Sequence, residues 1–288
     1  MTVVLTVVLT VVLTVVLAVA QVTVVLTATS KIHSLDLSNV VFHQVDVTDI
    51  DSITSLVHFI EAEFGRLDIL SAMSKSLYVN NAGASGMEVD DEGLRALNID
   101  AATWKSGKAA NLVKGVMRST YEKAENTNYY DTKRVAEALL PLLKLSSIGA
   151  RIVNVSSLRG ELWRIPNDEI RSEFSDIEKL TEGRIDELLQ KFKKDVKQEA
   201  LVENGWPLML PAYGISKTAL NAYTRLLARK YPQMYINCVH PGYVNTDLPW
   251  HTGPMTPEDG AKAPLRLALL SQPGPTGCYF DQMEVANF

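Results

Sequence analysis

The stretch PAYGISKTALNAYTRLLARKYPQMYINCVHPGYVNTD, residues 211–247, decides the fold class. Residues 213–230 predict a helix, residues 235–239 (YINCV) predict a buried strand, and Pro241-Gly242 ends that strand. Upstream the alternation recurs. Residues 151–155 (RIVNV) and 40–47 (VVFHQVDV) predict strands. Residues 131–145 predict an amphipathic helix with Val135, Ala138, Leu139 and Leu142 on one face, and residues 51–64 predict another built on Ile53, Leu56, Val57 and Ile60. Short apolar runs at 67–70 and 77–79 lead into Asn80-Asn81-Ala82-Gly83. Strands alternating with helices of this length imply βαβ units and an α/β, doubly wound parallel sheet.

One block breaks the rhythm. Residues 161–211 are rich in charge and hold a second amphipathic stripe of Ile185, Leu188, Leu189, Phe192 and Val196. Connections from a strand to the next helix usually run two to six residues, so this is an insertion. It enters at the carboxyl edge of the sheet, where α/β proteins bind ligands, and is expected to form a helical flap over a site.

The first 30 residues differ from the rest. No charged side chain precedes Lys31, and TVVL repeats four times from Thr2 to Leu17, with a fifth copy at Thr23 to Leu26. Three forms are open to this segment. Val and Thr favour buried strands; residues 2–29 are long enough for a membrane helix; Ala18-Val19-Ala20 suits signal-peptide cleavage, although a basic n-region is missing. The chain thus divides into a repetitive apolar segment, 1–30, and a domain, 31–288, with membrane attachment open only through residues 1–29. Within a sheet, residues 2–6 and 22–27 could serve as first and second strands joined by a Val-rich helix.

Composition excludes several classes. The 288 residues carry 28 Lys and Arg against 33 Asp and Glu, for a net charge of −5 without a basic block, so no nucleic-acid partner is expected. Two cysteines, Cys238 and Cys278, with no CxxC exclude a disulfide scaffold and a zinc module; no metal is expected, and a reducing, cytoplasmic setting fits.

Chemistry gathers at the strand ends. Tyr213 and Lys217 stand four apart and project from one helix face. Ser157 follows one strand, Asn80 to Gly83 another, and Pro241 to Thr246 a third, so four motifs converge on the carboxyl edge. His240 is expected to be only a strand-end residue, while Trp163, Trp206 and Trp250 fall near the flap and a possible apolar rim.

As a set these motifs resemble the classical short-chain dehydrogenases/reductases, most closely the plant branch of menthone, neomenthol and salutaridine-type reductases. The matching residues are VDVTD around Asp46, NNAG from Asn80, TNYYDTKR around Asn128, VNVSS ending at Ser157, PAYGISK around Tyr213 and HPGYVNTD around Pro241. The block before Tyr213 and the C-terminal GCYFDQMEVANF are shared as well. The resemblance implies a Rossmann-like fold with NADP as cofactor. It also implies interconversion of a carbonyl and a secondary alcohol on a small, largely apolar, terpenoid- or alkaloid-like compound. Tyr213 would protonate the substrate oxygen. A free phenol has a pKa near 10, and the Lys217 ammonium would lower it. Lys217 would also bind the nicotinamide ribose, Ser157 would hold the substrate oxygen, and Asn128 would complete a relay to Lys217. Asp46, with Val47 beside it, would meet the adenine. Asn80, Asn81, Ala82 and Gly83 would line the adenosine ribose, and Pro241, Gly242, Val244 and Thr246 would hold the carboxamide. A monomer is implied, because in this branch the flap covers a helical dimer face.

The family opens with a strand and T-G-x-x-x-G-x-G, whose glycines let backbone N–H groups approach the pyrophosphate. Here no glycine precedes Gly65. This leaves a second possibility, a catalytically silent relative that keeps the fold. Thr29 stands where the branch has an Arg for the 2′-phosphate, with Lys31 nearby, and no acidic residue comes just after Thr27 to favour NAD. Residues 71–78 look inserted between LDIL and VNNAG.

Overall fold

The computed structural model describes residues 3–10, 13–20, 40–74, 80–81, 85, 87–113, 117–119, 121–246, 248–249 and 252–288. Its strands are β1 (Val3–Thr10), β2 (Leu13–Ala20), β3 (Val40–Gln44), β4 (Ile69–Ser74), β5 (Asn80–Asn81), β6 (Met87–Val89), β7 (Met117–Ser119), β8 (Arg151–Val155), β9 (Tyr235–His240), β10 (Tyr279–Asp281) and β11 (Glu284–Ala286). Its helices are α1 (Ile50–Phe64), α2 (Asp91–Ala96), α3 (Ala101–Ser106), α4 (Tyr121–Glu125), α5 (Thr132–Leu143), α6 (Asp168–Ser175), α7 (Glu182–Lys197), α8 (Pro211–Lys230) and α9 (Pro257–Ala268).

One sheet runs in the order β11-β10-β9-β8-β4-β2-β1-β3, with β5 paired to β4. The pairs β2–β4, β4–β8, β8–β9 and β9–β10 are parallel. Every residue of β8 is buried, because both faces are covered. Its side chains alternate between two cores. Ile152 joins Ile236 and the residues of α5 and α8, while Val153 and Val155 join Val239 and, from α9, Ala263 and Leu267. This is the doubly wound arrangement expected. The ribbon of β6 and β7 is a separate small sheet that the sequence pattern did not announce.

The N-terminal segment corrects an expectation. Instead of a strand, a helix and a second strand, β1 and β2 form an antiparallel hairpin with Thr10 opposite Leu13. β1 then pairs antiparallel with β3. The Val-Thr repeat forms strands, as its composition favours, but only two residues connect them, too few for a crossover helix. Residues 3–10 and 13–20 therefore lie in the sheet and do not form a membrane helix, and Ala18 to Ala20 close β2. Among the described residues no helix is long and apolar enough to cross a membrane. Residues 22–27, the proposed second strand, lie outside the described residues.

The inserted block packs on the helical layer. Its stripe is real, with Ile185, Leu188, Leu189 and Phe192 buried and Val196 packed on the core. α7 lies along α5 and α8 on the outer side of the helical layer. Lys133 pairs with Glu182 at 2.7 Å, and Lys193 pairs with Glu125 at 2.9 Å. Trp206 Nε1 donates to Asp195 at 2.7 Å, and Arg229 donates to the Ile177 carbonyl at 2.7 Å. The physical reason is that an apolar stripe needs an apolar partner, and the far face of α8 supplies one. Sandwiched in this way, α8 is buried almost all round from Gly214 to Thr224.

Candidate active site

At the end of β8 the chain turns twice within five residues. Ser156 N donates to the Val239 carbonyl at 2.8 Å, which extends the ladder by one residue. Ser157 is extended and caps a single 3₁₀ turn, Leu158–Gly160, accepting from Arg159 N at 3.2 Å. The Ser156 side chain is buried without a hydrogen-bond partner among the described atoms, whereas Ser157 hydrogen-bonds the Tyr213 phenol. Ser157 is thus the serine that faces the phenol, as the alternation of a strand end requires.

α8 presents Tyr213 and Lys217 to the same place. Leu210, in the left-handed region at φ 51, turns the chain sharply into Pro211 at the first helical position. Lys217 Nζ donates to the Val155 carbonyl at 2.9 Å and lies 5.8 Å from the centre of the Tyr213 ring. Asn128 is fully buried in a π turn, Asn126–Asp131, that runs into α5. Such a turn re-aims a side chain that a regular helix would leave on another face. Its Nδ2 donates to Ser216 Oγ at 2.9 Å, and Ser216 Oγ donates to the Tyr213 carbonyl at 2.8 Å. Asn128 therefore reaches α8 at the residue preceding Lys217.

The electrostatics differ from the expected pattern. Burial pushes the Tyr213 phenol above its ordinary range, and the Ser157 hydrogen bond and the Arg159 charge pull it back. Lys217 is buried with no acidic partner among the described residues, and desolvation lowers its pKa from 10.5 to about 7. Among the influences on the phenol, the Ser157 hydrogen bond comes first after burial and the Arg159 charge second. Arg159 is itself lowered to about 10, mainly by burial and then by Arg164, with Tyr213, Tyr243 and Glu161 opposing. Neither Arg159 nor Tyr243 stood out in the sequence. The only signal was their position, two residues after Ser157 and one after Gly242.

The other expected ligand-binding residues fall at the same edge or outside the description. Asp46 follows β3, and its carboxylate accepts from Thr48 N at 2.9 Å and Thr48 Oγ1 at 2.7 Å. Asp46 N donates to Ser52 Oγ, which is why β3 stops at Gln44 and does not reach residue 47. Val47 is in the core, and its carbonyl accepts from Arg134 at 3.0 Å. Asn80 and Asn81 form β5 beside β4, with Ala72 opposite Asn80, so they do not extend the same strand. Ala82, Gly83 and Trp250 lie outside the described residues. Pro241, Gly242, Val244 and Thr246 form the half-buried loop after β9. Gly242 has φ 99, a conformation that suits glycine, and Val244 bridges to Met255. His240 ends β9, its carbonyl accepting from Gln282 N at 2.7 Å, as expected of a strand-end residue. No group of three metal-ligating side chains occurs among the described residues.

These residues fit the nicotinamide half of a dinucleotide: a buried lysine, a paired serine and tyrosine, and a glycine loop meet at one sheet edge. The pyrophosphate half has no such counterpart among the described residues, where β1 and β2 pair with each other as antiparallel strands.

Comparison with known proteins places the site in context. The family model for short chain dehydrogenases matches residues 10–166. Short-chain dehydrogenase/reductase 1 of Saponaria officinalis is 45% identical over 281 residues, covering 93% of this chain and 88% of that protein. (+)-Neomenthol dehydrogenase of Arabidopsis thaliana is 43% identical over 254 residues, covering 87% and 80%. The structure of salutaridine reductase from Papaver somniferum superposes with a TM-score of 0.75 at 40% identity, covering 88% of this chain and 85% of that one.

Proposed function

This chain belongs to the short-chain dehydrogenase/reductase family. From that premise we propose that it is an NADP-dependent reductase that interconverts a carbonyl and a secondary alcohol on a small, largely apolar, terpenoid- or alkaloid-like compound. The observation that carries the proposal is the meeting of Ser157, Tyr213 and Lys217 at the end of β8. When bound, the cofactor supplies or accepts the hydride. Ser157 and Tyr213 hold the substrate oxygen, and Tyr213 gives its proton to that oxygen as negative charge develops there. Lys217, released from the Val155 carbonyl, holds the nicotinamide ribose. Asn128 acts through Ser216, at the buried end of α8. Pro241, Gly242, Val244 and Thr246 hold the carboxamide, and Asp46, Val47, Asn80, Asn81, Ala82 and Gly83 receive the adenosine.

The substrate class rests on two supports. The relatives' names are those of a terpenoid dehydrogenase and an alkaloid reductase. Beside the start of α8 lies a small apolar cluster of Leu94, Ala109, Val113 and Met209, with Leu210 against it, which suits an apolar ring system. NADP is favoured over NAD by the lack of an acidic residue just after Thr27 and by Lys31. The packing of α7 on the outer side of α5 and α8 supports a monomer. Two free cysteines suit a reducing, cytoplasmic setting.

Titration of the full chain with NADPH, followed by nicotinamide fluorescence, tests the proposal. Saturation in the micromolar range that is lost in Lys217→Ala supports it. No binding up to millimolar NADPH would leave Tyr213 and Lys217 as remnants of a silent relative and sink it.

A further inference from the structure

The turn that follows Ser157 is too short to hold itself. Leu158–Gly160 is a single 3₁₀ turn, closed by Gly160 N donating to the Ser157 carbonyl at 2.9 Å. Bonds of this kind have poorer geometry than those of an α-helix. The direction of the Ser157 hydroxyl therefore depends on what grips the turn from outside.

The turn is gripped from two sides. From α8, Thr218 Oγ1 and Asn221 Nδ2 donate to the Gly160 carbonyl at 3.2 and 3.3 Å. A Cβ added to Gly160 would stand 2.8 Å from the carbonyl carbon of Lys217, so turn and helix meet backbone to backbone. From the other side, Arg164 Nε donates to the Leu158 carbonyl at 2.5 Å. The same Nε donates to Glu161 Oε2 at 3.1 Å, and the two side chains are only 9% and 13% exposed. The other carboxylate oxygen, Oε1, accepts from the Tyr279 hydroxyl at 3.3 Å. Tyr279 is buried in β10, opposite Cys238 of β9. A continuous path thus runs from the sheet through Tyr279, Glu161 and Arg164 to the carbonyl next to Ser157.

We propose that Arg164 and Glu161 are positioning residues of the reaction, a shielded ion pair that fixes the turn after Ser157 and so aims the Ser157 hydroxyl at the substrate oxygen. This deepens the proposed reductase function and rests on it.

Two features set this pair apart from an ordinary surface pair. Exposed pairs rarely hold one geometry, whereas this one is covered. The Arg164 guanidinium lies 4.1 Å from the centre of the Trp163 ring, and Trp163 Nε1 donates to Glu161 Oε2 at 2.9 Å. The second feature is its target. The charge-assisted bond of Arg164 ends on a main-chain carbonyl one residue past Ser157. A misplacement of about 1 Å at a reacting centre costs about a hundredfold in rate, so the turn need not unfold for the pair to matter.

A double-mutant cycle in the full chain tests the assignment. Arg164→Met is expected to lower kcat for NADPH-dependent reduction of menthone about ten- to hundredfold, while NADPH fluorescence titrates within about twofold of the wild type. In a Ser157→Ala background the same substitution should change kcat by less than about twofold, because the group it aims is gone. Glu161→Gln keeps the side-chain shape and removes the charge. It should act in the same direction, and it supplies the cycle if Arg164→Met does not fold. Equal losses in both backgrounds, or an unchanged kcat in the folded variants, overturn the proposal. Hydrogen exchange of the cofactor-free proteins reads the same brace without turnover. The amides of Arg159 and Gly160, bonded to the Ser157 hydroxyl oxygen and carbonyl at 3.2 and 2.9 Å, should exchange at least about tenfold faster in either variant, with α8 unchanged. Faster exchange in a chain that reduces no cyclic ketone upholds the brace and defeats the reductase function instead. Unmoved exchange in such a chain overturns the brace as well.

Discussion

Replacing Lys217 with Met should make stability respond to pH in a way that reports the charge state of the buried amine. The wild-type amine donates to the Val155 carbonyl at 2.9 Å, and burial lowers its pKa from 10.5 to about 7. Between those values the unfolded chain holds a proton that the folded chain does not, so wild-type stability rises with pH. The slope for one proton is about 1.4 kcal/mol per pH unit. From about pH 7.5 to about pH 9.5 the wild type should therefore gain about 2–3 kcal/mol relative to Lys217→Met, which lacks the titrating group. The sign is that of a depressed lysine: the stability present above the unfolded pKa is lost as pH falls towards the folded one. Tyr213 does not mask the effect, because its phenol is pushed up and stays protonated in both proteins. Urea unfolding of the cofactor-free proteins across this range measures the difference at each pH. Two parallel curves, or a difference that shrinks as pH rises, would show that Lys217 keeps its charge in the fold and would refute the electrostatic account of the site.

Three further predictions follow from contacts elsewhere in the fold. Gly160→Ala places a methyl 2.8 Å from the Lys217 backbone and should cost about 1–3 kcal/mol while displacing the Ser157 turn; activity should fall further than the loss of folded protein measured by thermal melting explains. Asp131, buried beside Arg134 at 2.7 Å, has its carboxyl raised from 3.8 to about 6 by burial, so wild-type stability should fall as pH rises through that window; Asp131→Asn, followed by denaturant unfolding from acid to neutral pH, should remove up to about 3 kcal/mol of that fall. Phe192→Ala should cost about 3–5 kcal/mol in urea unfolding by emptying the contact of α7 with Trp206, and sedimentation should then show self-association if α7 is what keeps the outer face of α8 covered.

Much of this architecture is legible in the residues. The strand at 151–155 and the helix at 213–230 follow from apolar runs bounded by clear breakers, and α8 begins only two residues earlier than the pattern implies. Ser157, Tyr213 and Lys217 are legible because strand ends and helical spacing are local rules. The N-terminal topology is not. TVVL repeats favour strands wherever they fall, and whether two strands cross over or fold back depends on two residues, 11 and 12, that carry no turn signal. The placement of α7 is hidden for a related reason: a stripe of Ile185, Leu188, Leu189 and Phe192 says that one face is buried, not against what. Charge states are the least visible. Spacing puts Lys217 beside Tyr213, but only the packing around both shows that the lysine is desolvated.

The most direct test of the central claim is ketone-dependent consumption of NADPH by the full chain and by its Tyr213→Phe variant, with menthone as the first probe and a panel of cyclic ketones behind it. The account predicts turnover by the wild type that is lost in Tyr213→Phe, while NADPH fluorescence still saturates with the variant. Turnover that survives in Tyr213→Phe, or a chain that neither consumes nor binds NADPH, would contradict it.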